Sequence, residues 1–148
     1  MADRPSPARF CFGCGSENPR GLGMRFRLED GRAVAEFAPP EHLQGYPGRV
    51  HGGGVATMLD EAMGWAVYGR GAWAVTAKLS LRFRRSVPLA EPLAVAGWVT
   101  RDRGRFLEVR AELRARDGTL LAEADGLFVR VSGAQAEELR RQYEGARV

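Results

Sequence analysis

The run His51-Gly52-Gly53-Gly54-Val55-Ala56-Thr57-Met58-Leu59-Asp60-Glu61-Ala62 constrains this chain most. It predicts a helix over about 52–68. In that helix Val55, Met58, Leu59, Ala62, Met63, Ala66 and Val67 keep the i, i+3, i+4, i+7 spacing of one buried stripe. A helix with so long an apolar stripe belongs at the centre of a small domain. Two features are unusual for a plain core helix. Its first turn is made of glycines, each costing ~1 kcal/mol relative to alanine inside a helix. Its middle carries Asp60, which falls at the edge of the stripe beside Ala56 and Val67, while Glu61 points further out.

Both features have a physical use. Glycines at a helix start leave backbone N–H groups bare, and the helix dipole adds positive potential there. Gly52 and Gly53 can therefore form an oxyanion site. A carboxylate at the edge of an apolar stripe is partly desolvated, which suits Asp60 to act as general base or nucleophile. The plain alternative is a Gly-rich turn before a helix whose Asp60 meets solvent or an arginine. His51 either serves the site or fixes the helix entry. His51 and Asp60 are nine residues apart, roughly 13–14 Å along a helix axis. The two ends cannot meet one reacting atom within a single chain. If both serve one site, a second copy of the helix must run antiparallel beside the first, which demands a homodimer.

The flanking chain reads as strands. Met24, Phe26 and Leu28 alternate with Arg25, Arg27 and Glu29, Asp30-Gly31 is a hairpin turn, and Arg32 to Ala38 returns with Val34 and either Ala35 or Phe37 inward. Glu41 to Leu43 reads as one helical turn. The Gly/Pro loop Gln44 to Val50 feeds the helix, so Gln44 or the backbone near Gly45 can hold a substrate carbonyl. Gly69 to Gly71 ends the helix. Trp73 to Val87 is a long alternating strand, with Val75, Ala77, Leu79, Leu81 and Phe83 on one face. Leu93–Thr100, Phe106–Arg116 and Leu120–Val131 follow, separated by turns at 101–104 and at Asp117-Gly118. A polar helix over 133–144 has Leu139 and Tyr143 as its anchors. Two strands, one apolar helix and four strands in a meander predict an α+β fold, an antiparallel sheet packed on one helix.

With 148 residues, the chain is expected to form one domain, preceded by a loose lead-in over 1–21 and closed by a helix and tail over 133–148. No apolar run reaches the ~20 residues of a membrane span. The start, Met1 to Pro7, is polar and Pro-rich without a signal peptide, so a cytoplasmic protein is expected. The net charge of +4 comes without any interleaved aromatic-and-basic motif, which argues against nucleic acid and for an anionic small molecule. Cys11 and Cys14 supply half of a structural zinc site. His42 and His51 lie far off in sequence, so no metal is expected within one chain; a zinc site shared between chains is the alternative to the default reading, two reduced, partly buried thiols.

His51-Gly52-Gly53 with Asp60 nine residues on resembles the hotdog-fold acyl-CoA thioesterases of the phenylacetate-pathway (PaaI-like) type. Gln44 to Val50 and Val75-Thr76-Ala77-Lys78-Leu79-Ser80-Leu81 are similar to the branch with the mammalian thioesterase-superfamily enzymes. Cys11-Phe12-Gly13-Cys14-Gly15, Asn18-Pro19 and Gly21-Leu22 resemble the opening of many bacterial members. The likeness runs from about 10 to 131. It implies a hotdog fold: a sheet of about six strands wrapped around one long helix, with protomers paired as dimers or dimers of dimers. It implies hydrolysis of an acyl-CoA thioester, with the Gly52 and Gly53 amides holding the oxyanion and Asp60 of the other protomer as base or nucleophile. Thr76 stands where relatives carry a hydroxyl that orients the water. Gln44 stands near the place where many relatives have an asparagine, with a small shift in spacing. Arg82, Arg84 and Arg85 can meet the phosphates of coenzyme A, or form a solvated face. Met58, Met63, Trp65, Tyr68 and residues near Trp73 are expected to wall the acyl pocket. No metal or redox cofactor is needed, coenzyme A being part of the substrate. The alternatives are a hotdog dehydratase or hydratase, whose usual His and acid motif is absent, and a non-catalytic acyl-CoA-binding protein, which has no need of Asp60.

Overall fold

One helix, α1 (Gly52–Gly69), packs against the six strands that curve around it. The computed structural model describes residues 8–144; the polar start, 1–7, and the tail end, 145–148, lie outside the described residues. The strands are β1 (Arg27–Glu29), β2 (Arg32–Phe37), β3 (Ala74–Phe83), β4 (Leu93–Asp102), β5 (Phe106–Ala115) and β6 (Leu120–Arg130), and a second helix, α2 (Gly133–Glu144), closes the described chain. The sheet is antiparallel in the order β1-β2-β4-β5-β6-β3. This is the hotdog arrangement expected from the resemblance. No helix among the described residues is long and apolar enough to cross a membrane.

The apolar stripe of α1 is buried as its spacing requires, from Val55 to Val67. Leu93, Val95, Leu107, Val109, Leu113 and Phe128 meet it from the sheet. Small residues let the helix sit close. A Cβ on Gly97 would fall 2.4 Å from the Ala62 carbonyl oxygen, and one on Gly126 would fall 2.9 Å from Met63 Sδ. Ala33, Ala35, Ala111, Ala122 and Ala124 continue this shallow floor.

The structure corrects the sequence reading in four places. Strand β1 is only three residues long. Met24 and Phe26 are buried as expected, but the backbone before β1 pairs with the N-terminal turn instead: Leu22 N–H donates to the Phe12 carbonyl (2.8 Å) and Met24 N–H to that of Gly13 (3.0 Å). In β2 the inward residues are Ala33 and Ala35, and Val34 takes the other face; close packing against α1 favours the small side chains. Strand β3 ends at Phe83, because the next two N–H groups, of Arg84 and Arg85, both turn to the Leu121 carbonyl. A register shift between Thr76 and Lys78 breaks its alternation, so Leu79 and Leu81 are half-buried while Val75 and Phe83 are 51% and 56% exposed. Finally, β4 runs on through Asp102, so the turn after it starts at Arg103.

The close seating at Gly97 generates the first test. Gly97→Ala should lower stability by about 1–3 kcal/mol through overpacking, read as a lower midpoint in urea unfolding. Gly64→Ala, on α1 with nothing within 4 Å of its Cβ, should be neutral or stabilising by up to ~1 kcal/mol. Equal effects at the two positions would contradict this packing account.

Candidate active site

Helix α1 carries candidate groups at its start and its middle, and β3 runs antiparallel beside it. Asp60 is half-buried on α1, and its Oδ1 accepts a hydrogen bond from Thr76 Oγ1 at 2.8 Å. The register shift that follows Thr76 falls where the strand presents this hydroxyl to the helix. Burial raises the Asp60 pKa, and the Thr76 hydrogen bond opposes that rise. The sequence-predicted pair, sixteen residues apart, therefore meets within one chain.

At the start of α1, His51 is the N-cap, and its Nδ1 accepts from the Gly53 N–H at 2.9 Å. The helix-entry role of His51 is thus real, and it consumes one of the two amides expected to form the oxyanion site. The Gly54 and Val55 N–H groups go to the His51 carbonyl. The Gly52 N–H alone in this turn has no acceptor among the described residues. Gly53 and Gly54 are crowded: a Cβ would lie 3.1 Å from His51 Nδ1 and 3.0 Å from Val50 Cγ1, respectively. Gly52 is not crowded, since its Cβ would meet only the Phe83 ring at 3.8 Å. The chain's own packing does not require glycine there, so the absent side chain leaves the bare N–H open to a ligand.

Gln44 Oε1 accepts from the Gly48 N–H at 2.9 Å, which closes the entry loop and turns the amide NH₂ of Gln44 outward. The loop is tied to the helix start by the His51 N–H donating to the Leu43 carbonyl and to the sheet end by the Val50 N–H donating to that of Val87. Phe83 lies against Gly52, and Arg82, which precedes it on β3, takes the opposite face of the sheet; Arg84 and Arg85 follow the end of the strand. Arg84 is held by Glu123, Nε to Oε2 at 3.1 Å. His51, Gly52 and Gln44 gather at one end of α1, among the described residues no contact brings Arg82, Arg84 or Arg85 to them, and Asp60 with Thr76 lie about two turns away.

A cleft of about 240 Å³ opens beside Glu61, between α1, the start of β3 and α2; neither Asp60 nor Thr76 lines it. Trp65, Tyr68, Trp73, Val75, Leu139 and Tyr143 are among its lining residues. Tyr68, Trp73 and Tyr143 pack ring on ring, each pair at 5.5–5.6 Å between centroids. Met58 and Met63 do not wall it, as they are fully buried in the core. Among the described residues the buried indole Nε1 of Trp65 has no hydrogen-bond partner.

The sequence reading placed Glu61 outside, but the turn around Cys11 and Cys14 covers it. The ligand atoms of Cys11, Cys14 and Glu61 lie within 4.8 Å of one another. Burial, then the nearby Cys11, push the Glu61 pKa up to about 7, and the Cys14 hydrogen bond draws the Cys11 thiol down to about 5. These are the described residues best placed to hold a metal.

The desolvation of Asp60 has a consequence for stability. With its pKa raised, the native state binds the proton more tightly than the unfolded chain. Stability is therefore lost as the pH rises through the ordinary carboxylate value and the raised one. Asp60→Asn, neutral at every pH, should be more stable than the wild type at pH 7 in urea unfolding, and the gap should close below about pH 4. A less stable variant at pH 7 would contradict the assignment.

The profile of the Thioesterase superfamily matches residues 47–122 of this chain. Acyl-coenzyme A thioesterase THEM4 of Bos taurus is 35% identical over 116 residues, covering 75% of this chain and 48% of that protein. The chain thus spans about half the length of the curated relatives it matches. A crystal structure of a thioesterase superfamily protein has a TM-score of 0.78 and 34% identity, over 82% of this chain and 63% of that one. A hypothetical thioesterase protein of Streptococcus pneumoniae TIGR4, crystallised with coenzyme A, has a TM-score of 0.70 and 19% identity, over 74% of this chain and 86% of that one. Mutant structures of that protein replace, one at a time, an aspartate and a threonine sixteen positions apart by alanine.

Proposed function

The chain belongs to the thioesterase superfamily, and on that premise we propose that it hydrolyses the thioester of an acyl-coenzyme A to the free acid and coenzyme A. The observation that carries this reading is the Asp60 carboxylate, half-buried on α1 and held at one oxygen by Thr76. The names of the THEM4 relatives and the coenzyme A in the Streptococcus pneumoniae structure support it, as does the sixteen-residue spacing of the altered aspartate and threonine there.

In this mechanism the thioester carbonyl oxygen accepts from the bare Gly52 N–H at the positive end of α1. With Nδ1 of His51 already accepting, the ring proton sits on Nε2, and His51 offers a second donor at that end. The amide NH₂ of Gln44 is a third. Thr76 fixes Oδ1 of Asp60 and leaves Oδ2 for the reaction. As base, Asp60 takes a proton from water while the water oxygen attacks the carbonyl carbon. The tetrahedral intermediate then breaks its C–S bond, and the proton passes from Asp60 to the departing thiolate. As nucleophile, Asp60 attacks the carbonyl carbon and the C–S bond breaks to release the coenzyme A thiolate; water then cleaves the mixed anhydride to the free acid and the Asp60 carboxylate, and its released proton neutralises the thiolate. No metal or redox cofactor enters either route. The cleft of Trp65, Tyr68 and Trp73 receives the acyl group, and Arg82 and Arg85 meet the phosphates of coenzyme A, Arg84 being engaged with Glu123.

Gly52 and Asp60 stand eight residues apart on one helix, ~12 Å along its axis. We therefore take each site to combine the helix start of one protomer with Asp60 of another, in a homodimer or a dimer of dimers. Strand β3 supports the assembly: it is a ten-residue sheet edge that leaves Val75 and Phe83 exposed.

Thiol release from a panel of short, medium, long and aryl acyl-CoAs tests the activity. The wild type should turn over at least one class. Asp60→Asn should lose about 100-fold or more in kcat while still oligomeric in size-exclusion chromatography with light scattering. Thr76→Val should lose about 10- to 100-fold in kcat/KM. Tight acyl-CoA binding with no release by the wild type would make the protein a binder, and equal rates for wild type and Asp60→Asn would remove Asp60 from the chemistry.

A further inference from the structure

The hydrolase reading leaves the Cys11-x-x-Cys14 turn unused, and the fold brings a third ligating group to it from α1. The turn is tight. The Gly15 N–H donates to the Cys11 carbonyl at 2.9 Å, and a Cβ on Gly15 would fall 2.4 Å from the Cys11 nitrogen. The N–H groups of Gly13 and Cys14 both point at Cys11 Sγ, as in a turn that presents a thiolate. Gly13 lies directly over Glu61: a Cβ there would sit 2.6 Å from the carboxylate. Cys11 Sγ and Glu61 Oε1 are 3.5 Å apart, and all three donors fall within 4.8 Å of one another. Zinc–sulfur and zinc–oxygen bonds of ~2.3 and ~2.0 Å at a tetrahedral angle place sulfur and oxygen ~3.5 Å apart, and two sulfurs ~3.8 Å apart. Among the described residues no arginine, lysine or histidine faces Glu61 to balance its charge; the groups around it are Cys11, Cys14 and Asp60.

We propose that Cys11, Cys14 and Glu61 bind one zinc ion, which staples the N-terminal turn to the outer face of α1. Two thiolates and a carboxylate favour a borderline-soft divalent ion over magnesium or calcium. Among the described residues these three are the only ligating cluster, so water takes the fourth position. The staple also holds the approach to β1, since the residues after it bond back to the carbonyls of Phe12 and Gly13. Its ligand Glu61 directly follows Asp60, so the ion secures the helix turn that carries the proposed base.

The full chain, purified without chelator, should contain about one zinc per protomer by plasma mass spectrometry. Stripped under reductant and titrated with cobalt(II), it should develop thiolate-to-cobalt charge-transfer absorption in the near ultraviolet. The double variant Cys11→Ser, Cys14→Ser should lose both signals. Glu61→Gln should keep the thiolates yet bind cobalt about 100-fold more weakly. Zinc-free wild type whose reduced form gives no charge-transfer band overturns the proposal, whatever the variants do. So does a Cys11–Cys14 disulfide in the isolated protein that excludes the metal, or cobalt binding of unchanged strength in Glu61→Gln.

Discussion

The contact between Ala62 and Gly97 sets the distance between helix and sheet, and the rest of the molecule is arranged around that distance. With no side chain at Gly97 the strand approaches the α1 backbone itself. The apolar stripe can then be sealed by residues as small as Ala33 and Ala35 on one side and Ala122 and Ala124 on the other. A helix held this close cannot rotate without a clash. The groups at the edge of its stripe therefore have fixed directions: Asp60 toward Thr76 on β3, and Glu61 under the Cys11–Cys14 turn.

Two electrostatic arrangements follow from the same helix. At its start, the His51 ring caps one amide and leaves the Gly52 N–H to a ligand. In its middle, burial works against the charge on Asp60 and a single hydroxyl works for it. Stability alone would favour a side chain at position 52 and a neutral residue at position 60. That both positions depart from this fits a helix that gives up some stability for a site.

Much of this was legible in the residues. The 3.6-residue spacing from Val55 to Val67 located α1 to within a residue at each end. Asp30-Gly31 marked a hairpin turn, and both residues have positive φ. The alternation of Leu107, Val109, Ala111 and Leu113 gave β5 and its inward face. What escaped depended on contacts between distant segments. Val34 outranks its alanine neighbours in hydrophobicity, but the space under α1 admits only small side chains there. The register shift after Thr76 leaves no mark in an alternating sequence. Glu61 looked solvent-facing because the turn that covers it lies fifty residues earlier. Gly53 looked like an anion donor because the N-cap bond of His51 is a matter of ring orientation rather than spacing.

The central claim is that one reaction site draws on two copies of this chain, and mixing two inactive variants tests it directly. Gly52→Pro removes the bare N–H at the first helical position, where proline is tolerated, and the extended backbone of His51 (φ −58°, ψ 141°) suits a following proline. It leaves Asp60 intact, as Asp60→Asn leaves Gly52. A heterodimer of the two, isolated by different tags, holds one site with both defects and one with neither. Thioester hydrolysis restored to about half the wild-type rate is the predicted result. A heterodimer as inactive as either parent would contradict the shared site and return both groups to separate roles within one chain.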